Sequence, residues 1–138
     1  MSVESLIAAA RLERVPTDRA GAGRRLDAAE RHLRSAEAIL DEDPDGAYAM
    51  LWDAARKAVT AHMLAAGLRV RNAPGAHAAV AEYAAAELTV EAAAELDRMR
   101  RFRNRIEYGS TSFTPRQVRH DLQNARAVVQ AIRKALDR

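Results

Sequence analysis

The chain has 138 residues, a length that suits one domain. Hydrophobic residues make up 49% of it and cysteine is absent, which excludes a disordered chain and a disulfide-linked scaffold. Alanine supplies 32 residues, whereas aromatic residues account for only 4%. Because alanine leads the helix-propensity scale and strand-forming residues are scarce, this composition favours helices. The net charge of +3 is too small to indicate nucleic-acid binding by itself.

The first predicted elements lie before residue 24. Residues 3–13 are predicted to form a short helix, and residues 16–23 a flexible link to a helical domain over residues 24–138. The N-terminus lacks the basic region and long apolar core of a secretory signal, and no stretch approaches the roughly 20 apolar residues that span a membrane. We therefore expect a cytoplasmic protein with no membrane association.

Two helices with clear apolar stripes follow. The stripe of the first has steps of three and four residues: Leu26, Ala29, Leu33, Ala36 and Leu40. Asp43 then provides a candidate N-cap, with Pro44 at the first helical position. The helix that starts there is the longest and most apolar segment and ends at Gly67. We predict that it lies at the centre of the fold.

Three more helices complete the chain. Pro74 is predicted to open an alanine-rich helix, and Thr89 to cap the next one. Thr114 and Gln117 form a capping-box pattern before the last helix. No segment of comparable length alternates between apolar and polar residues. The sequence therefore predicts an all-α, antiparallel bundle of four to five helices.

Several kinds of site are unsupported by the sequence. The four histidines lie on different predicted helices, outside any H-E-x-x-H or E-x-x-H pair, so we expect no metal site. Glycine-rich nucleotide-binding motifs and Ser/His/Asp arrangements are also missing, so we expect no cofactor. His62 is predicted to be a hydrogen-bonded core histidine, and Trp52 a core residue.

The charge is distributed unevenly. Residues 1–97 hold eleven basic and sixteen acidic side chains, whereas residues 98–138 hold eleven basic and three acidic ones. Five of these arginines fall within residues 98–105. Such a distribution indicates either an anion-binding surface or two complementary faces that meet in the fold.

Arg103 has an unusual position within this segment. On a helix it lies in the apolar stripe, between Leu96 and Met99. A guanidinium there needs a carboxylate, backbone carbonyls or a phosphate as partner, because an unpaired buried charge is costly. Glu107 is four residues away on the same face. An internal Arg103–Glu107 pair and a phosphate contact therefore both remain open.

Three segments resemble the HEPN superfamily (higher eukaryotes and prokaryotes nucleotide-binding domain), across residues 24–138. They are Ala47-Tyr48 with Asp53–Ala58, Gly75–His77, and Arg103–Tyr108. The last is similar to the family motif of Arg, a polar residue, and His four to six residues beyond the Arg. The resemblance implies a HEPN-like bundle that acts on RNA in a bacterial toxin–antitoxin or defence system, either as a metal-independent endoribonuclease or as an RNA or nucleotide binder.

The resemblance also implies roles for individual residues. Arg103 would steady the charge on a phosphate and Asn104 would help to position it. Tyr108 stands where the family has its histidine; with a reference pKa near 10 it is a poor base, and Glu107 is the alternative. The arginines expected to bind RNA phosphates are Arg98, Arg100, Arg101 and Arg105.

The resemblance further implies a homodimer in which two copies of the motif form one basic cleft. An alternative is a non-catalytic dimeric interaction protein partnered with a nucleotidyltransferase, in which Tyr108 is a modification site. A third possibility is a bundle in which the arginine cluster only pairs with acidic residues of the N-terminal part of the chain.

Overall fold

The computed structural model describes residues 2–72, 74–108 and 112–137, and the side chains of residues 106–108 lie outside that description. The described residues form six helices and one two-stranded ribbon, which confirms the predicted all-α helical bundle. In chain order these are α1 (Val3–Ala8), β1 (Leu12–Arg14), α2 (Arg19–Ile39), α3 (Pro44–Ala65), β2 (Leu68–Val70), α4 (Ala76–Glu87), α5 (Val90–Tyr108) and α6 (Pro115–Leu136).

Local capping signals set the starts of the long helices. The carboxylate of Asp43 accepts a hydrogen bond from the Gly46 N–H at 3.0 Å, at the start of α3. At the start of α6, Thr114 Oγ1 accepts from the Gln117 N–H at 3.2 Å, and Gln117 Oε1 accepts from the Thr114 N–H at 2.9 Å. Each bond pairs a backbone group that the helix itself leaves without a partner. The predicted caps of α3 and α6 are therefore confirmed.

The N-terminal segment differs from the prediction. Helix α1 ends at Ala8 rather than residue 13, and the segment expected to be a flexible link already contains the first turn of α2. That turn starts early because the Asp18 carboxylate accepts a hydrogen bond from the Gly21 N–H at 2.8 Å. Strands β1 and β2 pair antiparallel in the register Leu12↔Val70. Three-residue strands are too short to show an alternating pattern, so the sequence did not reveal them.

The ribbon joins the two ends of the α2–α3 hairpin. Its pairing is extended by hydrogen bonds from the Val15 N–H to the Gly67 carbonyl at 2.9 Å and from the Asp18 N–H to the Leu64 carbonyl at 3.0 Å. Gly67 has φ +75°, and a Cβ at this position would lie 2.9 Å from the Val15 carbonyl oxygen. The close approach of the two chain segments therefore depends on glycine.

Helix α3 is the central helix of the bundle, as predicted. It packs against α2, α4, α5 and α6, and its most extensive contact is with α2. Both helices bury several alanines, whose small side chains permit close approach of two helix backbones. Trp52 is 2% exposed and belongs to the core, as the apolar stripe predicts. Among the described residues, no helix is long and apolar enough to cross a bilayer.

A row of ion pairs joins α6 to α2 and accounts for part of the uneven charge distribution. Three arginines on α6 recur at seven-residue intervals and face acidic residues of α2 and of the turn after it. The pairs are Arg119–Asp41 (3.2 Å), Arg126–Glu37 (2.9 Å), Arg133–Asp27 (2.7 Å) and Arg133–Glu30 (3.0 Å). The basic C-terminal region and the acidic N-terminal region thus meet as complementary faces here.

Candidate functional site

Arg98 belongs to a buried network between α3, α5 and α6. Its guanidinium donates to both carboxylate oxygens of Asp121, with Nη1 2.9 Å from Oδ2. Asp121 is only 4% exposed and also accepts hydrogen bonds from the Tyr48 hydroxyl at 2.7 Å and the Asn124 amide at 3.1 Å. Burial raises the pKa of the Asp121 carboxyl, but these hydrogen bonds outweigh it and hold the pKa below its usual value. The network keeps a carboxylate charged inside the bundle.

Aromatic rings surround this network. Phe113 stacks on Tyr48 with a centroid distance of 4.3 Å, and Phe102 meets Phe113 edge-on at 5.7 Å. The guanidinium groups of Arg98 and Arg105 lie 5.5 and 5.0 Å from the Phe102 centroid, within the range of cation–π contacts. An adjoining pocket of about 360 Å³ lies between Phe102 and the first two turns of α6.

Arg100 and Arg101 share one carboxylate. Arg100 Nη2 lies 2.9 Å from Asp97 Oδ1, and Arg101 Nη2 lies 2.9 Å from Asp97 Oδ2. One negative charge therefore faces two positive ones. Arg100 is part-buried, while the side chain of Arg101 is 69% exposed. Of the four arginines predicted to bind phosphate, three thus pair with carboxylates of this chain, and Arg105 lies over an aromatic ring.

The motif residues fall into two groups. Arg103 and Asn104 are part-buried on α5. Glu107 and Tyr108 belong to the last turn of the same helix, but their side chains lie outside the described part of the chain. The expected Arg103–Glu107 pair and the roles assigned to Glu107 and Tyr108 therefore stay predictions.

His77 is not among the site residues predicted from the sequence. Its imidazole lies at the start of α4, with its ring centroid 5.9 Å from that of Trp52. Burial lowers the pKa of His77, and the positive charges of Arg56, Arg103 and Arg100 lower it further. These arginines come from α3 and α5, so three helices contribute to one cationic group. We call His77, Arg56, Arg100 and Arg103 the cationic cluster.

Asp53 is the carboxylate that pairs with Arg56 of this cluster. Its Oδ1 accepts from Arg56 Nη2 at 2.6 Å, and its Oδ2 accepts from Lys57 and lies 3.6 Å from His32 Nε2. Burial raises the pKa of Asp53, but the hydrogen bonds from Lys57 and Arg56 lower it more. Asp53 is therefore ionised, and it partly offsets the effect of the arginines on His77.

Comparison with known proteins identifies no relative. No protein-family model matches the sequence, and neither a curated protein nor a solved structure matches it.

Around the cationic cluster, four cationic side chains share two carboxylates. Asp53 is shared by Arg56 and Lys57, and Asp97 by Arg100 and Arg101. Such an excess of guanidinium groups attracts phosphate, which arginine binds through two parallel hydrogen bonds. Within the described residues, no group of three or more His, Asp or Glu side chains has an arrangement that could hold a metal ion.

Two other histidines, His62 and His32, have side-chain contacts within the bundle. His62 Nδ1 lies 2.7 Å from the Tyr83 hydroxyl, as predicted for a hydrogen-bonded histidine, although the side chain is part-buried rather than in the core. Burial lowers the pKa of His62 despite the opposing charge of Glu87. His32 Nε2 lies 3.0 Å from Lys57 Nζ, and burial together with the Lys57 charge lowers its pKa.

Three stretches of sequence, far apart along the chain, thus contribute to one group. Arg56, His77 and Arg103 come from the same three segments on which the family resemblance rests. A signal for His77 was present in its place at the start of a helix, but its electrostatic interaction with Arg103 depends on how α4 packs against α5. Spacing within a single helix, which singled out Arg103, carries no such information.

Proposed function

We propose that the chain is a HEPN-like, RNA-directed protein of a bacterial toxin–antitoxin or defence type, and that the cationic cluster binds the phosphate at which it acts. The observation that carries the proposal is that the part-buried imidazole of His77, on α4, has a pKa lowered by burial and by the positive charges of Arg56 on α3 and of Arg103 and Arg100 on α5. Guanidinium groups suit a phosphodiester, and a neutral imidazole suits proton transfer. We choose RNA, rather than another phosphodiester, because of the HEPN resemblance described above.

In this proposal His77 takes the part that the family assigns to the motif histidine. The neutral imidazole accepts the proton of the RNA 2′-hydroxyl while that oxygen forms a bond to the adjacent phosphorus. The bond from phosphorus to the 5′-oxygen breaks, leaving a 2′,3′-cyclic phosphate and a 5′-hydroxyl that takes its proton from water. Arg103 and Arg100 stabilise the negative charge that develops on the phosphate oxygens. Asn104 lies one residue from Arg103 and helps to position the substrate.

The lowered pKa of His77 supports its role as a base. An imidazole with a pKa below 6.5 is neutral at pH 7 and needs no further activation to accept a proton. Cleavage should therefore persist at neutral pH and decline only as the pH falls through the pKa of His77.

The experiment compares RNA binding and cleavage by wild-type protein, Arg103→Ala, His77→Gln and Arg126→Gln. Labelled single-stranded RNA and a chelator are present throughout, with binding followed by fluorescence anisotropy at about 50 mM salt. Arg103→Ala should weaken binding about tenfold, the loss of one charge-assisted contact. Arg126→Gln removes the same charge from the α2–α6 face and should bind within about twofold of wild type.

His77→Gln separates binding from chemistry. It should bind RNA as the wild type does and lose the cleavage that the wild type performs in the presence of chelator. Cleavage at equal rates by both proteins would remove His77 from the mechanism. A wild-type protein that binds no RNA at low salt would overturn the proposal as a whole.

A second candidate is a non-catalytic dimeric protein partnered with a nucleotidyltransferase. It is favoured by the internal pairing of Arg98, Arg100 and Arg101, since these guanidinium groups already hold carboxylates. It predicts a dimer that neither binds nor cleaves RNA, and a mass increase when the protein is incubated with such a partner and ATP. RNA-binding assays and intact-mass measurement distinguish it from the RNA-directed proposal, since both candidates are dimers.

A further inference from the structure

A groove between α2 and α3 is a second concentration of positive charge, separate from the arginine-rich segment of α5. Its volume is about 480 Å³, in the range of pockets that hold single small ligands. Arg24 and Arg25 line it from α2, and Arg56 and Lys57 line it from α3. None of the four was singled out by the charge pattern of the sequence, because the pairs 24–25 and 56–57 meet only through helix packing.

The carboxylates near the groove do not balance these cations. The Asp18 carboxylate lies at one end, where it caps α2 through the Gly21 N–H. Asp53 pairs with both Arg56 and Lys57. Arg24 and Arg25 are exposed, and across the described residues neither guanidinium has a hydrogen-bond or ion-pair partner. Four like charges around a concave surface repel one another and favour a bound anion.

Arg56 connects the groove with the cationic cluster. Its side chain lines the groove, pairs with Asp53 and acts electrostatically on His77. A chain of phosphates held at the cluster by Arg103 would therefore find further cations along the surface of α3 and α2. Arginine suits this role better than lysine, since its planar group binds a phosphate through two hydrogen bonds.

We propose that the α2–α3 groove binds the phosphodiester backbone of single-stranded RNA that extends from the cationic cluster. This inference rests on the proposed function, because it assigns a second contact region to the same RNA strand. The groove is a binding site and not a site of chemistry. Its arginines add affinity for longer strands and do not enter the cleavage step.

The experiment measures affinity as a function of RNA length. Oligonucleotides of about 4 and about 12 nucleotides cover the range of site sizes known for single-strand binding. The groove variant is Arg24→Gln with Arg25→Gln. Its matched control, Arg34→Gln with Arg71→Gln, removes the same charge at exposed positions outside the groove. Thermal unfolding of both variants verifies that they fold.

Wild type and control should bind the longer RNA at least about tenfold more tightly than the shorter one, and the groove variant should lose this gain. The slope of affinity against salt should fall by about 1.4 for the groove variant, since each phosphate contact on a single strand contributes about 0.7. A second variant, Arg24→Lys with Arg25→Lys, keeps the charge and should keep most of the salt slope. Groove and control variants that behave alike would overturn the inference.

Two further outcomes separate this inference from the proposed function. If Arg103→Ala loses RNA binding while the groove variant keeps the full gain with length, the groove assignment fails and the proposed function stands. If wild type binds RNA of neither length, the proposed function itself fails. A glutamate polymer of matched charge serves as a competitor. If it displaces RNA from the groove as effectively as unlabelled RNA does, the groove is a general polyanion-binding surface and the assignment to RNA is overturned.

Discussion

At the scale of single residues, Asp121 is a charged side chain that is buried in the bundle and accepts several hydrogen bonds. Its buried carboxylate holds Arg98 on α5, Tyr48 on α3 and Asn124 on its own helix, so one side chain connects three helices. A buried carboxylate is stable only while its hydrogen bonds are intact, because removal of a partner leaves a charge without compensation. The arrangement orients α5 at Arg98, on the same helix as Arg100 and Arg103.

We expect Asp121→Asn to lower the free energy of unfolding by about 2–3 kcal/mol, because Arg98 loses the buried one of its two carboxylate partners and keeps only Glu95, which is more exposed. Tyr48→Phe removes only one hydrogen bond to a charged group and should cost about 1.5 kcal/mol. Urea denaturation at pH 7 measures both. The pKa of Asp121 is below 3.8 in the folded protein, so its contribution is complete above that pH and disappears as the pH falls further. An Asp121→Asn variant as stable as wild type would show that the network contributes nothing.

Some features of single residues could be predicted from the sequence and others could not. Asp43 and Thr114 cap helices through hydrogen bonds to the backbone three residues further along the chain, so their role can be predicted from the local sequence. Arg103 was found through its place in an apolar stripe. By contrast, His77 and Arg24 gain their significance from neighbours on other helices. No local pattern shows which residues of other helices surround them.

At the scale of elements, the pairing of α2 with α6 explains why the charge distribution of the sequence had two interpretations. The arginines of α6 face acids of α2, whereas Arg100 and Arg101 share the single carboxylate of Asp97. The complementary-face interpretation therefore describes α6, whereas on α5 two arginines share one carboxylate. Individual exposed pairs contribute little stability, but a row of them favours one alignment of two helices over others.

A charge-reversal cycle at Arg126 and Glu37 tests this alignment. Arg126→Glu should lower the free energy of unfolding by about 1 kcal/mol, because it places two carboxylates opposite each other. Adding Glu37→Arg should recover most of that loss by restoring an opposite-charge pair in the reverse orientation. Urea denaturation at low and high salt measures the cycle, and the coupling should shrink as salt increases. Additive effects of the two substitutions would show that the pair has no energetic role.

At the scale of the whole molecule, stability should depend on pH in two steps. The pKa values of His32, His62 and His77 are all lowered, in each case mainly by burial. Above pH 6.5 these histidines are neutral in both folded and unfolded states and have no effect. As the pH falls below 6.5 the unfolded chain takes up protons more readily, so the free energy of unfolding falls. Below pH 3.8 the loss of the Asp53 and Asp121 charges adds a second decrease.

Urea denaturation between about pH 8 and pH 3 measures this profile. His62→Gln should flatten the step between pH 7 and pH 5, since it removes the imidazole that contacts Tyr83. His120→Gln, which replaces a histidine at an exposed position, is the matched control substitution. A wild-type free energy of unfolding that stays constant from pH 7 to pH 5 would contradict the expectation.

The β1–β2 ribbon has a consequence for the kinetics of folding. We expect residues 12 and 70 to meet after α2 and α3 have paired, because the hairpin brings the ends of these helices together and lowers the entropy cost of closing the loop. Gly67→Ala should cost about 1–2 kcal/mol, since φ is positive there and the new Cβ would meet the Val15 carbonyl. In stopped-flow measurements this cost should appear almost entirely as faster unfolding, with the folding rate nearly unchanged. A slowing of folding as large as the increase in the unfolding rate would show that the ribbon is already formed in the transition state. If the folding rate is unchanged, these few residues determine how long the folded state lasts rather than how quickly it forms.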